Sequence, residues 1–179
     1  IGDSARYPPL QKGGRKGDRG RLLVIGGGPY HGAPILSGLA AARSGCDLVH
    51  VAMPSAAVHR SDWPASLIPE KLPDDDHLTM RSVGNLDELL ESGRAPDAIV
   101  IGPGLGREDG TMEAVRAILD LASSKQVPVV VDADAISALP HGSWPEGLDG
   151  VSTPHQGEAD RWLGEVSPSE AISGCSGEH

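Results

Sequence analysis

The chain has 179 residues, a formal net charge of −10, an apolar fraction of 39% and no Phe. This length is enough for one domain with a sizeable aliphatic core, and the acidic balance excludes a nucleic-acid-binding surface, which needs a basic face. No apolar run is long enough to cross a bilayer, and no signal peptide is recognisable. The two cysteines, Cys46 and Cys175, match no metal-binding spacing, so we expect a reduced, cytoplasmic compartment.

The first residues are polar and rich in proline and glycine, and we expect residues 1–15 to form a flexible basic arm. Five basic residues lie within ten positions just before the first apolar run: Lys12, Arg15, Lys16, Arg19 and Arg21. They form either a solvated arm or an electropositive lip beside a phosphate site.

Two short apolar runs with a helix between them open the predicted domain. The strand 21–25 runs into Gly26. The Ala- and Leu-rich segment 34–44 predicts a helix that ends before Gly45, and a second strand follows over 47–53.

The middle of the chain is less regular. Frequent prolines and an acidic run predict a loop-rich connection over 55–85, with a short helix and a strand around 78–83. Asn85 is predicted to cap a short helix over 86–92.

Strands and helices alternate again in the second half. Three strands are predicted over 97–101, 128–131 and 148–152, and a last helix over 156–163. The clearest helix lies between the first two of these strands, with one apolar face: Met112, Val115, Ile118, Leu119 and Ala122. This alternation, with strands that are apolar throughout, predicts an α/β fold with a mostly parallel sheet covered on both faces.

Four predicted strand ends carry glycine-rich or polar motifs, at 26–32, 102–106, 132–134 and 153–158. Ligands of open α/β sheets bind beyond these carboxyl ends, where glycines permit close approach and a helix start attracts anions. A Rossmann-type dinucleotide site is disfavoured because strand 47–53 ends without a carboxylate. A P-loop is excluded because the chain contains no Gly-Lys-Ser/Thr.

The polar residues at the last two strand ends each have a structural alternative. Asp132 can orient Mg²⁺ or a phosphate-bound water, whereas Asp134 is predicted to cap the next short helix. His155 is a candidate ligand contact at a strand-to-helix junction. Glu158 lies on the same side of that helix start, where it either orients a metal–phosphate group or favours the positive end of the helix.

Taken in order, these motifs resemble those of the ADP- or ATP-dependent NAD(P)H-hydrate dehydratase domain, which is also the C-terminal half of bifunctional NAD(P)H-hydrate repair enzymes. The resemblance runs over 16–163 and rests on these segments: 16–20, 23–28, 32–34, 101–106, 131–135 and 153–158. It implies a ribokinase-like three-layer α/β/α fold, of which residues 16–165 are about the first two-thirds. Residues 166–179 are expected to be an irregular tail.

The resemblance also implies a Mg²⁺-dependent repair of NADH or NADPH that carries an added water on its nicotinamide ring. ADP or ATP phosphorylates the offending hydroxyl, and phosphate then leaves far more readily than hydroxide. Substrate contacts are implied for Gly28, Gly32, Ala33, Gly102, Gly104, Gly106 and His155. Glu158 and, through water or phosphate, Asp132 are implied to serve Mg²⁺, Lys16 to lie near a phosphate, and the protein to be a homotetramer.

One departure from the family bears on catalysis. The resemblance implies a Gly-Thr-Gly-Asp motif whose glycines form an anion hole and whose Asp is the base, and these 179 residues contain none. The catalytic residue is therefore unassigned, and the 179 residues alone are expected to be inactive by this mechanism. Two alternatives stay open: a non-catalytic nucleotide-binding fragment, and a vitamin-precursor kinase, which a His at position 155 disfavours.

Overall fold

A computed structural model describes residues 17, 19–93 and 95–164. Six strands form one sheet: β1 Arg21–Ile25, β2 Leu48–Met53, β3 Ile68–Lys71, β4 Ala98–Ile101, β5 Val129–Val131 and β6 Gly150–Ser152. The helices are α1 Gly32–Arg43, α2 Ser55–Arg60, α3 Met80–Glu91, α4 Asp109–Ser124 and α5 Gln156–Leu163, with a short 3₁₀ helix at Ala133–Ala138. All strand pairs are parallel, in the spatial order β3-β2-β1-β4-β5-β6, which confirms the predicted α/β class.

Helices lie on both faces of the sheet and enclose two aliphatic clusters, as a chain without Phe requires. On one face, α1 and α2 pack over β1, β2 and β3, around Val24, Val51 and Leu67. On the other face, α3, α4 and the short helix after β5 cover a larger cluster that includes Ile25 and Ile101. None of the described helices is long and apolar enough to cross a membrane.

The stretch between 68 and 91 differs from the sequence-based expectation. The strand expected around 78–83 is wrong, and the helix expected over 86–92 begins six residues earlier, because one helix, α3, spans Met80–Glu91. Thr79 caps it by accepting a hydrogen bond from the Arg81 N–H, while Asn85 lies exposed in the helix interior. Leu86 and Leu90 are buried one helical turn apart, which explains why the segment is helical.

The sequence analysis also missed β3. This strand pairs with β2 at the edge of the sheet formed by the described strands, and Pro69 is tolerated there because only one side of an edge strand takes part in the ladder. The connection after β2 therefore contains the expected short helix, α2, and then a sixth strand. The other element boundaries lie within two residues of those predicted.

The segment that enters β1 lies at the amino-terminal edge of the sheet. The N–H groups of Gly17 and Arg19 donate to the Asp47 carboxylate at 3.0 and 3.2 Å, and the Arg21 N–H donates to Asp97 at 2.7 Å. These aspartates precede β2 and β4, so Arg19 and Arg21 lie across the sheet from the glycine motifs. The alternative that these two arginines form an electropositive lip beside a phosphate site is therefore wrong. The other three basic residues of the cluster, Lys12, Arg15 and Lys16, lie outside the described residues. The predicted arm 1–15 and the predicted tail 166–179 lie outside them as well.

Candidate functional site

Four loops meet at the carboxyl edge of the sheet because all its strands are parallel. We call this edge the rim; it comprises residues 26–32, 102–106, 132–134 and 153–158, which follow β1, β4, β5 and β6. The chain leaves β1 towards β2 on one side, and it leaves β4 towards β5 on the other. Such a point of reversal is where open α/β sheets bind ligands.

The glycines of the 102–106 loop allow it to pack against neighbouring backbone. Gly102 has a φ of +129°, and a Cβ there would lie 1.7 Å from the Asp132 carbonyl oxygen. Gly104 has a φ of +72°, and a Cβ there would lie 2.0 Å from the Tyr30 carbonyl oxygen. Both glycines are therefore required by the fold whether or not a ligand is bound. Ligand contact by Gly102, Gly104 and Gly106 stays a prediction.

The start of α1 is the open part of the first glycine loop. A Cβ on Gly32 would meet no atom within 4 Å, and Ala33 is exposed. No side chain caps the helix, so its first N–H groups have no side-chain acceptor among the described residues and are available to an anion. Gly28, in contrast, is buried, and a Cβ there would lie 3.0 Å from the Leu105 carbonyl oxygen.

Asp134 does not cap the short helix after β5, contrary to the sequence-based prediction. No side chain of the described residues caps that helix. The Asp134 carboxylate instead accepts hydrogen bonds from the Gly106 N–H at 3.0 Å and from Arg107 Nε at 2.9 Å. Its side chain is only 19% exposed. Asp134 therefore ties the second glycine loop to the end of β5, through a partner 28 positions away in the sequence.

Asp132 joins the ends of β5 and β6 by accepting a hydrogen bond from the Thr153 hydroxyl at 2.7 Å. Among the residues that the structure describes, no group of three or more His, Cys, Asp or Glu side chains could hold a metal. Mg²⁺, however, commonly binds through one or two carboxylates together with phosphate oxygens and waters. Asp132, half-buried at the rim, fits that limited role.

His155 and Glu158 form a capping box at the start of α5. The Gly157 N–H donates to His155 Nδ1 at 3.1 Å, and the His155 N–H donates to Glu158 Oε2 at 3.0 Å. The second carboxylate oxygen, Oε1, lies 3.4 Å from His155 Nε2. Since both oxygens of the buried carboxylate face His155, the geometry favours the helix-start role for Glu158. The imidazole itself is largely exposed, and its contact with a ligand stays a prediction.

The sequence analysis missed a charged group beside the first glycine loop. Arg60 Nη2 donates to the Gly28 carbonyl at 2.9 Å, and a cavity of about 180 Å³ is lined by Gly28, Pro29, Arg60, Asp76 and His77. Asp76 and His77 follow the carboxyl end of β3, the unrecognised strand. Recognition of that strand would have identified its end as a fifth loop of the rim.

A larger cavity, of about 270 Å³, lies at the other end of the rim, between the short helix after β5 and α5. Its lining combines the buried Glu158 with apolar and polar side chains: Ile136, Ser137, Leu139, His141, Arg161 and Trp162. The rim is thus flanked by a concave surface on each side.

Comparison with known proteins gives consistent matches. A family model described as NAD(P)H-hydrate dehydratase matches residues 22–175. The chain is similar to the bifunctional NAD(P)H-hydrate repair enzyme Nnr of Hyperthermus butylicus, with 40% identity over 92% of this chain and 31% of that protein. It is also 39% identical to the ATP-dependent (S)-NAD(P)H-hydrate dehydratase of Emericella nidulans, over 72% of this chain and 37% of that protein. The chain thus spans about a third of the length of these curated relatives.

Solved structures share the fold. A Streptococcus mutans protein, SMU.573, superposes with a TM-score of 0.72 and 26% identity, over 92% of this chain and 58% of that one. The ADP/ATP-dependent NAD(P)H-hydrate dehydratase of Bacillus subtilis, co-crystallized with ATP/Mg²⁺, gives a TM-score of 0.65 and 25% identity, over 93% and 55%. These matches confirm the ribokinase-like architecture that the resemblance implies.

Proposed function

Because the chain belongs to the NAD(P)H-hydrate dehydratase family, we propose that the protein carrying it dehydrates hydrated NADH or NADPH with ADP or ATP as phosphoryl donor. The observation that carries the proposal is the agreement between the family match over residues 22–175 and the convergence of the motif-bearing loops on one rim. The chain covers only part of its relatives, so the proposal concerns the whole protein.

The residues of the rim would bind and orient the dinucleotide. The uncapped start of α1, at Gly32 and Ala33, would receive an anionic group of the substrate, since its N–H groups and the helix dipole both favour negative charge. The 102–106 loop, fixed by Asp134, would form a rigid wall of the site. The exposed His155 ring, held by Gly157 and Glu158, would contact the substrate from the far side of the rim.

Mg²⁺, when bound, would neutralise charge on the phosphates of the donor. Asp132 would hold the ion through one carboxylate, directly or through water, and Thr153 would orient that carboxylate. The Bacillus subtilis neighbour, co-crystallized with ATP/Mg²⁺, supports the use of this pair by the family. We also place the protein in the cytoplasm and expect it to assemble as a homotetramer, which sedimentation of the purified protein would test.

The test is recovery of the nicotinamide chromophore. Hydrated NADH and hydrated NADPH are incubated with the protein, Mg²⁺ and either ADP or ATP, and the near-ultraviolet absorbance of the reduced nicotinamide is followed. We expect recovery that requires both a donor and Mg²⁺. A protein that leaves both hydrates unchanged with either donor would refute the dehydratase proposal.

A second function is favoured for the 179 residues by themselves, because they lack the Gly-Thr-Gly-Asp motif that the family resemblance implies for catalysis. In this case the chain binds the dinucleotide without turnover. Calorimetry would show heat on addition of hydrated NADH while the absorbance assay shows no recovery. Turnover by the 179-residue chain would eliminate this alternative.

A further inference from the structure

The rim carries negative charge and contains neither a lysine nor an arginine. Its four loops include three carboxylates, those of Asp132, Asp134 and Glu158. A dinucleotide carries a negative charge on each phosphate of its pyrophosphate, so these carboxylates repel the substrate that we propose. The partial positive charge at the start of α1 offsets some of this repulsion, and a cationic side chain beside the rim would offset more of it.

Arg107 directly follows the second glycine loop and is held by Asp134. Its Nε donates to Asp134 Oδ1 at 2.9 Å, and the other carboxylate oxygen, Oδ2, accepts from the Gly106 N–H at 3.0 Å. The Asp134 side chain is largely buried, whereas the Arg107 side chain is 45% exposed. One end of the guanidinium is therefore fixed to the wall of the rim, and the other end reaches solvent.

The exposed end of this guanidinium has hydrogen-bond donors to offer. The structure shows no hydrogen bond from Arg107 Nη1 or Nη2 to another described residue. The neighbouring carboxylate, that of Glu108, lies against His77 instead, with Oε2 3.7 Å from Nδ1. The outer nitrogens of an arginine form a planar pair of donors that matches two oxygens of a phosphate. Because Asp134 already restricts the side chain, binding a phosphate there costs less conformational entropy.

The two glycine loops touch on this side of the rim. A Cβ on Gly106 would lie 3.1 Å from Pro29 Cγ, and a Cβ on Gly104 would lie 2.0 Å from the Tyr30 carbonyl oxygen. The loop that leads into Arg107 is therefore in contact with the residues that lead into α1. The guanidinium and the uncapped start of α1 thus belong to the same part of the rim.

We propose that Arg107 binds the pyrophosphate of the dinucleotide and that Asp134 positions it for this role. One phosphate then lies at the start of α1, and the other lies on the outer nitrogens of Arg107. The assignment rests on the proposed function, which supplies the identity of the ligand. Arg60, which lies beside the first glycine loop, is less suited, because its Nη2 donates to the Gly28 carbonyl and its Nη1 lies 3.8 Å from Asp76.

The test measures binding without turnover, by titration calorimetry of the 179-residue chain with ADP-ribose, which keeps the pyrophosphate and lacks the nicotinamide. Arg107→Gln should weaken binding at least about tenfold, because it removes a charged pair of donors. Arg107→Lys keeps the charge without the planar pair, so it should restore only part of the affinity. Arg116→Gln, on the exposed face of α4, is the matched control: it removes the same charge and should leave the affinity unchanged.

Salt dependence separates a phosphate contact from a purely structural role. Raising NaCl from about 0.1 M to about 1 M screens exposed charges. It should therefore weaken ADP-ribose binding more for the unmodified chain and for Arg116→Gln than for Arg107→Gln. Urea denaturation checks that each variant is folded, and if Arg107→Gln is not, the same comparison is made with Arg107→Lys.

Each other outcome counts against the assignment. It is overturned if the unmodified chain does not bind ADP-ribose, or if the glutamine variants at 107 and 116 bind it equally. ADP is titrated in parallel as the donor: a loss of ADP binding at 107 without a loss of ADP-ribose binding would also overturn it. The absorbance assay tests the dehydratase proposal separately, because a protein that binds ADP-ribose through Arg107 and leaves both hydrates unchanged would refute only that proposal.

Discussion

Asp134 holds the second glycine loop through two donors, the Gly106 N–H and Arg107 Nε. Asp134→Ala would leave the Gly106 N–H without its acceptor, so we expect the free energy of unfolding to fall by about 1–3 kcal/mol. Urea denaturation would measure the loss. Asp120→Ala, on the exposed face of α4, is the control and should change the free energy by less than about 0.5 kcal/mol. Similar losses for both variants would show that the loop is held by other contacts.

Gly32 offers a test of the anion site that spares the fold. A side chain fits there without contact, and a carboxylate in the first turn of a helix stabilises it, so Gly32→Asp should not lower Tm. The same carboxylate should repel an anionic dinucleotide and weaken its binding at least about tenfold, as measured by calorimetry. Gly110→Asp places the same change in the first turn of α4, where a Cβ also meets no atom, and should leave binding intact. Equal binding of the dinucleotide by both variants would show that its anionic group does not bind at the start of α1.

The burial of Cys46, at the edge of the sheet opposite the rim, predicts that the free energy of unfolding depends on pH. The thiol lies 3.1 Å from the Gly20 carbonyl oxygen, and its partial burial raises its pKa above the ordinary value. Because the folded thiol keeps its proton to higher pH than the unfolded one, the free energy of unfolding is unaffected below the unfolded pKa. It falls as pH rises between the two pKa values.

Denaturant titrations from about pH 7 to about pH 11 would test this dependence, because they bracket the ordinary thiol pKa. Cys46→Ala should reduce the alkaline loss of stability relative to the unmodified chain. An identical alkaline slope in the variant would exclude Cys46 as its source.

At the scale of elements, Asp74 organises the connection between β3 and α3. Its buried carboxylate accepts hydrogen bonds from the Thr79 N–H at 3.0 Å, the Thr79 hydroxyl at 2.6 Å and the Ser82 hydroxyl. Its carbonyl accepts a hydrogen bond at 2.8 Å from the N–H of Ser55, the first residue of α2. One residue therefore links the starts of two helices.

We expect Asp74→Ala to lower the free energy of unfolding by about 2–4 kcal/mol, because three donors lose their acceptor in a buried site. Urea denaturation provides the value. Asp75→Ala changes an exposed neighbour in the same loop and should cost less than about 0.5 kcal/mol. A loss at 74 no larger than that at 75 would mean that the helix starts do not depend on the carboxylate.

The elements that could be predicted from the sequence are those whose own residues decide their structure. The strands 21–25 and 128–131 are nearly continuous aliphatic runs, and the apolar face of α4 repeats at helical spacing. The strand β3 has one large apolar residue, Ile68, and becomes a strand only by pairing with β2. In α3, Asn85 suggested a helix start, whereas Thr79, held by Asp74 five positions earlier, determines it.

The candidate site, too, was predictable in part: its location could be predicted from the sequence, but its internal contacts could not. The four glycine and polar motifs could be assigned to one rim because parallel strands bring their carboxyl ends to one edge. Which partner each side chain would meet could not be predicted, since Asp134 bonds Gly106 and Arg60 bonds Gly28 across loops distant in sequence. A preference of aspartate for helix starts is a local rule, and the geometry between the loops overrides it at 134.

At the scale of the whole molecule, the net charge of −10 opposes the compact state through self-repulsion. Raising NaCl from about 0.1 M to about 1 M shortens the screening length from about 10 Å to about 3 Å, so we expect Tm to rise by several degrees. Differential scanning calorimetry would record the change. Sucrose at matched water activity is a control for general exclusion, and a Tm that depends equally on both additives would rule out charge repulsion as the cause.

The backbone contacts of Gly102 and Gly104 affect how mutational tolerance should be interpreted in this fold. In a saturation screen, both positions will reject every side chain, because even a methyl group would collide with carbonyl oxygens at 1.7 and 2.0 Å. Such intolerance would reflect how the rim loops pack against each other and would carry no information about what the protein binds. Gly32, whose surroundings accept a side chain freely, is the glycine at which a damaged phenotype would reveal a lost ligand.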